Sequence, residues 1–206
     1  PGMSRIKRVH CGDVNCHLVQ GEQGAILVDT GRAGYGEKLL PLCRQWDVRL
    51  IVLTHGHLDH VQNAAFLAQQ LEVPIAMHRA DLELLEDNDC QPMQAHRRLG
   101  RLSRRGFQDT LLPPFQPDLY LEDGDDLSHF GVNAQVVALP GHTLGSIGLR
   151  TEDGSLLVGD AMFRLFSPAP ALVYADRRQM EDSVAKIWAL HPTALYFGHG
   201  RPAQGL

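Results

Sequence analysis

Residues 50–60, LIVLTHGHLDH, place four side chains of the metal-ligating type at the end of an apolar run. Leu50, Ile51, Val52 and Leu53 have the length and character of a strand buried on both faces. His55, His57, Asp59 and His60 follow at once, and that much polarity at the tip of a buried element is costly unless something binds it. The spacing divides the four. Side chains on an extended stub alternate with period two, so His55 and His57 share a face. Asp59 and His60 fall where the next helix begins, diverge from the first pair, and can reach a second ion.

Three later stretches repeat the arrangement: PGHTLGS (140–146), VGDA (158–161) and FGHG (197–200). Each sets one His or Asp beside glycine directly after an apolar run, and glycine lets the backbone turn tightly and lets a ligand approach it. The combined set is His55, His57, His60, His142 and His199 with the carboxylates Asp59 and Asp160. A nitrogen-rich set with bridging oxygen suits Zn²⁺ and tolerates Fe or Mn. It is too large for one tetrahedral ion and matches two divalent ions that share a ligand.

The rest of the chain reads as one unit spanning 1–206, with Pro1-Gly2 before Met3 as a tag remnant. Strands are expected at Arg5–His10, Val14–Gln20, Ala25–Asp29, Arg49–Thr54, Pro74–Met77, Ala134–Leu139, Ile147–Thr151, Leu156–Val158 and Ala194–Phe197. Helical spacing covers Gly36–Trp46, His60–Leu71, a polar middle region over Arg79–Phe107, and Arg178–Leu190, where Asp176 is placed to cap and Met180, Val184, Ile187 and Trp188 form one stripe. Strand clusters at both ends, with helices between and after, predict sheets covered by helices.

A net charge of -5 gives no whole-protein attraction for nucleic acid, which is not an expected partner. Apolar runs such as Ala25-Ile26-Leu27-Val28 are strand-length, so no membrane span is expected. No secretory signal is read at the N-terminus, and the location expected is cytoplasmic. Cys11, Cys16, Cys43 and Cys90 match no zinc spacing and read as reduced, mostly buried thiols.

The motifs DTG (29–31), THGHLDH (54–60), PGHTLGS (140–146), GD (159–160) and GHG (198–200) resemble, in order, those of the metallo-β-lactamase-fold hydrolase superfamily, particularly its glyoxalase II-like branch. The resemblance implies an α/β (α+β) fold: a four-layer αβ/βα sandwich of two mixed β-sheets with helices outside and metals at one edge. It implies that His55, His57 and His142 bind a first metal. Asp59, His60 and His199 would bind a second, with Asp160 bridging and Asp29 supporting the site from behind. The activity implied is hydrolysis of a small-molecule thioester or ester, in which Asp59 and Asp160 are the catalytic carboxylates.

This chain departs from full-length glyoxalase II at two points. It ends six residues beyond GHG, so the helical region that binds glutathione is expected to be missing, and residue 56 is Gly where that enzyme typically has His. Thioesterase, lactonase, esterase and phosphodiesterase chemistry therefore stay open. The alternative reaction class is a mononuclear iron persulfide dioxygenase, which needs only the first-site histidines and the aspartate. Phe163, in the apolar stretch 162–173, is a candidate wall of the substrate pocket. Arg101, within the basic run Arg97–Arg105, is a candidate contact for an anionic substrate. His10, His17, His78, His96, His129 and His191 are expected as surface or ordinarily hydrogen-bonded histidines. Oligomeric state is not readable.

Overall fold

The computed structural model describes residues 5–95 and 112–205. β1 (Arg5–Cys11) and β2 (Val14–Gln20) form a hairpin, and β3 (Ala25–Val28) folds back on β2. α1 (Gly36–Gln45) carries the chain over to β4 (Val48–Val52), which lies parallel to β3. α2 (Leu58–Val61) and α3 (Ala64–Leu71) lead to β5 (Ile75–Met77), again parallel. Then come α4 (Leu82–Glu86), β6 (Gln94–Ala95) and β7 (Leu119–Tyr120). The second half holds β8 (Ala134–Ala138), β9 (Ile147–Thr151), β10 (Ser155–Leu157), the hairpin β11 (Met162–Arg164) and β12 (Pro168–Pro170), and β13 (Val173–Tyr174). α5 (Arg177–Ala189), β14 (Ala194–Tyr196) and β15 (Ala203–Gln204) complete it.

Two mixed sheets result, with orders β1-β2-β3-β4-β5-β7 and β15-β14-β10-β9-β8. The alternation of apolar side chains explains why they stack. Ile26, Val28, Leu50 and Val52 face Val136, Ile147 and Leu149 in the core between the sheets. Their neighbours Leu27 and Ile51 face the other way and pack with Leu39 of α1 and Leu67 of α3. Across the second sheet, Leu156 and Leu195 pack with Ile187 of α5. Strands apolar on both faces need a cover on each, which gives helix, sheet, sheet, helix. Each fully buried aliphatic side chain contributes roughly 1.5–3 kcal/mol.

Several boundaries differ from the sequence reading for local reasons. β3 stops at Val28 because Asp29 takes a left-handed conformation, φ 61°. The expected helix over His60–Leu71 is two helices, starting earlier and broken at Gln62-Asn63. There the Asn63 side chain leaves the helix path to donate to the carbonyls of Thr30 and Arg32 at 2.7 Å. Of the expected helical middle over 79–107, the described residues hold α4, which ends at Glu86, where the Asn88 side chain donates to the carbonyls of Leu84 and Gly56; residues 96–107 lie outside the described residues. β11–β13 lie in the stretch read only as apolar. The cap holds: Asp176 Oδ1 accepts from Gln179 N at 2.9 Å, although Trp188 of the apolar stripe is 41% exposed. Cys11, Cys16 and Cys43 are buried free thiols and Cys90 is exposed. Among the described residues no helix is long and apolar enough to cross a membrane.

One histidine departs from expectation. His17 is buried, lies edge-on to Tyr196 with ring centroids 5.6 Å apart, and its Nε2 makes no hydrogen bond. Burial pushes its pKa from the usual 6.5 to about 3. The unfolded chain therefore binds a proton that the folded chain refuses, so stability is full above about 6.5 and is lost as pH falls toward about 3. In urea unfolding of metal-free protein, His17→Leu should gain on the parent by about 2 kcal/mol between pH 7.5 and pH 5. An unchanged gap would mean that His17 accepts a proton while folded.

Candidate metal centre

The ligand-type residues leave the ends of strands that point to one edge of the sandwich. β8 and β10 are each antiparallel to β9, so they run together, and β14 is parallel to β10. His142, Asp160 and His199 follow the C-terminal ends of these three. His55 follows β4 in the other sheet, and His57, in extended conformation, starts α2, whose first residues include Asp59 and His60.

Their polar atoms converge on two triads linked by a third group, His55, His60 and Asp160. His55, His57 and His142 form one triad, and Asp59, His60 and His199 form another, with the ligand atoms of each within 4.8 Å of one another. His57 Nδ1 faces His142 Nε2 at 3.0 Å. Asp160 Oδ2 lies between the triads, 3.9 Å from His55 Nε2, 3.6 Å from His142 Nε2, 3.4 Å from His60 Nε2 and 3.3 Å from His199 Nε2. Donor atoms about 2.0–2.1 Å from a tetrahedral ion stand roughly 3.3–3.4 Å apart, so these separations suit shared cations. His55 Nε2, His60 Nε2, Asp59 Oδ1 and Asp160 Oδ1 are buried and make no hydrogen bond. Such orphaned atoms are costly in a finished core and appropriate to an ion site.

The far side of each ring fixes where its lone pair points. His142 Nδ1 donates to the carbonyl of Val173, and His199 Nδ1 to that of Asp13, both at 2.7 Å. A carbonyl only accepts, so Nε2 is the unprotonated nitrogen when either ring is neutral. The Thr54 hydroxyl donates to Asp29 Oδ2 at 2.8 Å, which leaves its oxygen to accept from His55 Nδ1 at 3.0 Å. His60 Nδ1 reaches the same Asp29 Oδ2 at 2.9 Å. One aspartate thus orients one histidine of each triad, and the left-handed turn at Asp29 brings its carboxylate there. Gly198 is required for a similar reason, because a Cβ on it would overlap Asp160 Oδ1.

Charge is shared unevenly. Burial holds His55 well below its ordinary value and pushes His57 to about 3, so both rings are neutral, as a metal ligand must be. Burial also opposes charge on His60, yet Asp160, Asp59 and Asp29 outweigh it and hold His60 well above the usual value. His199 is lifted to about 10 by Asp160 and Asp59 against its own burial. Asp59 falls to about 2 and Asp160 well below its ordinary value, because His60 and His199 outweigh the cost of burial. The carboxylates require positive charge, supplied by protons on two histidines or by cations in their place.

The metallo-beta-lactamase superfamily model matches residues 10–199. The chain belongs to the metallo-beta-lactamase superfamily. It is 34% identical over 156 residues to the hydroxyacylglutathione hydrolase GloC of Haemophilus influenzae, covering 73% of this chain and 67% of that protein. It is 31% identical to the hydroxyacylglutathione hydrolase of Pseudomonas putida, across 84% of this chain and 56% of that protein, so it spans little more than half of the latter's length. The crystal structure of TTHA1623 in a di-iron-bound form superposes with a TM-score of 0.74 at 29% identity, covering 96% of this chain and 94% of that one.

The fold brings the motif residues of the two triads and Asp29 together; Thr54 stood in the motif 54–60 without a role, and the Val173 and Asp13 carbonyls were not marked, since no side-chain pattern marks a backbone acceptor. Gly56 is set against the start of α4. A Cβ there would press into Leu84 Cβ at 2.7 Å and the Asp81 carbonyl at 2.9 Å, toward α4. Phe163 is half-buried on β11 opposite Ala169, one residue before Arg164, whose N–H reaches the His199 carbonyl at 3.4 Å. Arg101 and the rest of Arg97–Arg105 lie outside the described residues, as does His96. Thr54→Val removes no ligand atom, yet it should weaken Zn²⁺ binding roughly 10–100-fold by freeing the His55 ring. Competition with a chromophoric chelator checks this, and parental affinity would show that Thr54 does not orient His55.

Proposed function

We propose that the chain is a dinuclear metal-dependent hydrolase of a small-molecule thioester or ester. The observation that carries this is the convergence of His55, His60, His142 and His199 Nε2 on one carboxylate oxygen of Asp160, with the opposite ring nitrogens already engaged. In this reading His55, His57 and His142 hold one divalent ion, Asp59, His60 and His199 hold the other, and Asp160 bridges them. Zn²⁺ fits the nitrogen-rich donors, and Fe or Mn is tolerated. Such ions, when bound, lower the pKa of water from ~15.7 towards ~7 and polarise a carbonyl oxygen.

The chain's own groups supply positioning. Asp59 Oδ1, buried and without a hydrogen-bond partner, is the acceptor available to orient an attacking water. Arg32 Nη2 stands 4.0 Å from Asp59 Oδ2 while its Nε and Nη2 hold Asp13, whose carbonyl receives His199. That bracket fixes the rim on the second triad's side. Phe163 offers an apolar wall for the organic part of the substrate. The named activity of the Haemophilus and Pseudomonas relatives supports a thioester as the first substrate class to test.

Asp160→Asn and His142→Ala should each reduce metal content and lower kcat/KM more than about 100-fold, equivalent to about 2.7 kcal/mol of barrier. The readouts are elemental analysis of protein purified without added metal and a panel of thioesters, lactones and phosphodiesters. Full activity in either variant would overturn the ligand assignments. One Fe per chain with oxygen consumption on a persulfide would replace the hydrolase reading with the dioxygenase one.

A further inference from the structure

We propose that Asp81 is a positioning residue that clamps the two loops of the first triad together and sets its metal affinity. Asp81 ends a short 3-10 turn, Arg79–Asp81, and precedes α4, yet its side chain does not cap that helix. It is fully buried and its carboxylate leaves its own element. Oδ2 accepts from Gly56 N at 2.9 Å and from Thr143 Oγ1 at 2.6 Å. Oδ1 accepts from Gly145 N at 2.7 Å and from Gln91 Nε2 at 3.0 Å. Gln91 extends the grip, its Oε1 accepting from Leu144 N at 2.9 Å.

The donors are placed where they matter for the triad. Gly56 lies between His55 and His57, and Thr143 adjoins His142. One carboxylate therefore joins the loop that carries two of the ligands to the loop that carries the third, across more than 60 residues of sequence. The glycines make room for it: a Cβ at Gly145 would meet Asp81 Cγ at 2.8 Å, and one at Gly56 would press on the Asp81 carbonyl. Among the described residues no cation pairs with this carboxylate, so its hydrogen bonds to the loops take the place of water. Hydrogen bonds to a buried charge are stronger than neutral ones, which suits a clamp. An amide cannot replace it. Asparagine has one acceptor oxygen, and either orientation sets its NH₂ against a fixed backbone N–H, that of Gly56 or that of Gly145.

This inference rests on His55, His57 and His142 being ligands of one ion, and the experiment separates the two claims. Zn²⁺ affinities of the parent, Asp81→Asn and Asp118→Asn are measured by chelator competition, alongside thermal unfolding of the metal-free proteins and the visible spectrum after Co²⁺ loading. Asp118 is the control because it also accepts a backbone N–H, from Ile75 at 2.8 Å, without joining the ligand loops. The expected result is a 10–100-fold loss of affinity and an altered Co²⁺ spectrum in Asp81→Asn, with parental affinity in Asp118→Asn. Equal affinity in Asp81→Asn and the parent would overturn the proposal while leaving the metal site standing. A parent that binds no Zn²⁺ would overturn both. If Asp81→Asn does not fold, Thr143→Val and Thr143→Ser decide: the valine should weaken binding and the serine restore it, and equal affinities would refute the clamp.

Discussion

Asp160 is the constraint on which the rest of the site depends. It is a carboxylate set at the tip of β10, where little water reaches it and where four histidine Nε2 atoms stand within 3.3–3.9 Å of one oxygen. A charge in such a place needs compensation. The fold arranges for it by ending β4, β8, β10 and β14 at the same edge, so residues separated by up to 144 positions meet there.

Convergence alone would give a cluster of loosely placed rings. What gives it a fixed geometry is the layer of acceptors behind them: Asp29 directly for His60 and through Thr54 for His55, the Val173 carbonyl for His142, the Asp13 carbonyl for His199. Each acceptor belongs to a different piece of chain, so the site draws the β1–β2 turn, the end of β3 and the stretch beyond β12 into one frame. Asn15 strengthens that frame, its side chain donating to the carbonyls of Phe197 and Gly200 on either side of His199 at 2.9 and 2.7 Å. The unusual backbone at Asp29, φ 61°, is the local cost of bringing its carboxylate to two ligands at once.

Much of this was legible in the sequence because the chemistry lies in side chains at fixed spacings. The motif 54–60 and the three glycine-flanked residues named the two triads, and the two-sided apolar strands implied a layered sandwich. Other features had no such mark. Strands β6, β7 and β15 are two residues long and owe their form to pairing, not to any local pattern. The break at Gln62-Asn63 arises from a side chain reaching residues some 30 positions away. Asp81 lies in the polar middle region with no motif to mark it, and only the fold shows it joining residues 56, 143 and 145. The same holds for Gly56, whose place in the ligand motif drew attention to substrate while its α-carbon packs toward α4.

In the proposed site two ions share Asp160. Anomalous diffraction at the zinc absorption edge from crystals of the Zn²⁺-loaded protein tests it most directly. The account predicts two peaks about 3.5–4 Å apart on either side of Asp160, one against His55, His57 and His142 and one against Asp59, His60 and His199. A single peak, or peaks away from Asp160, would contradict it.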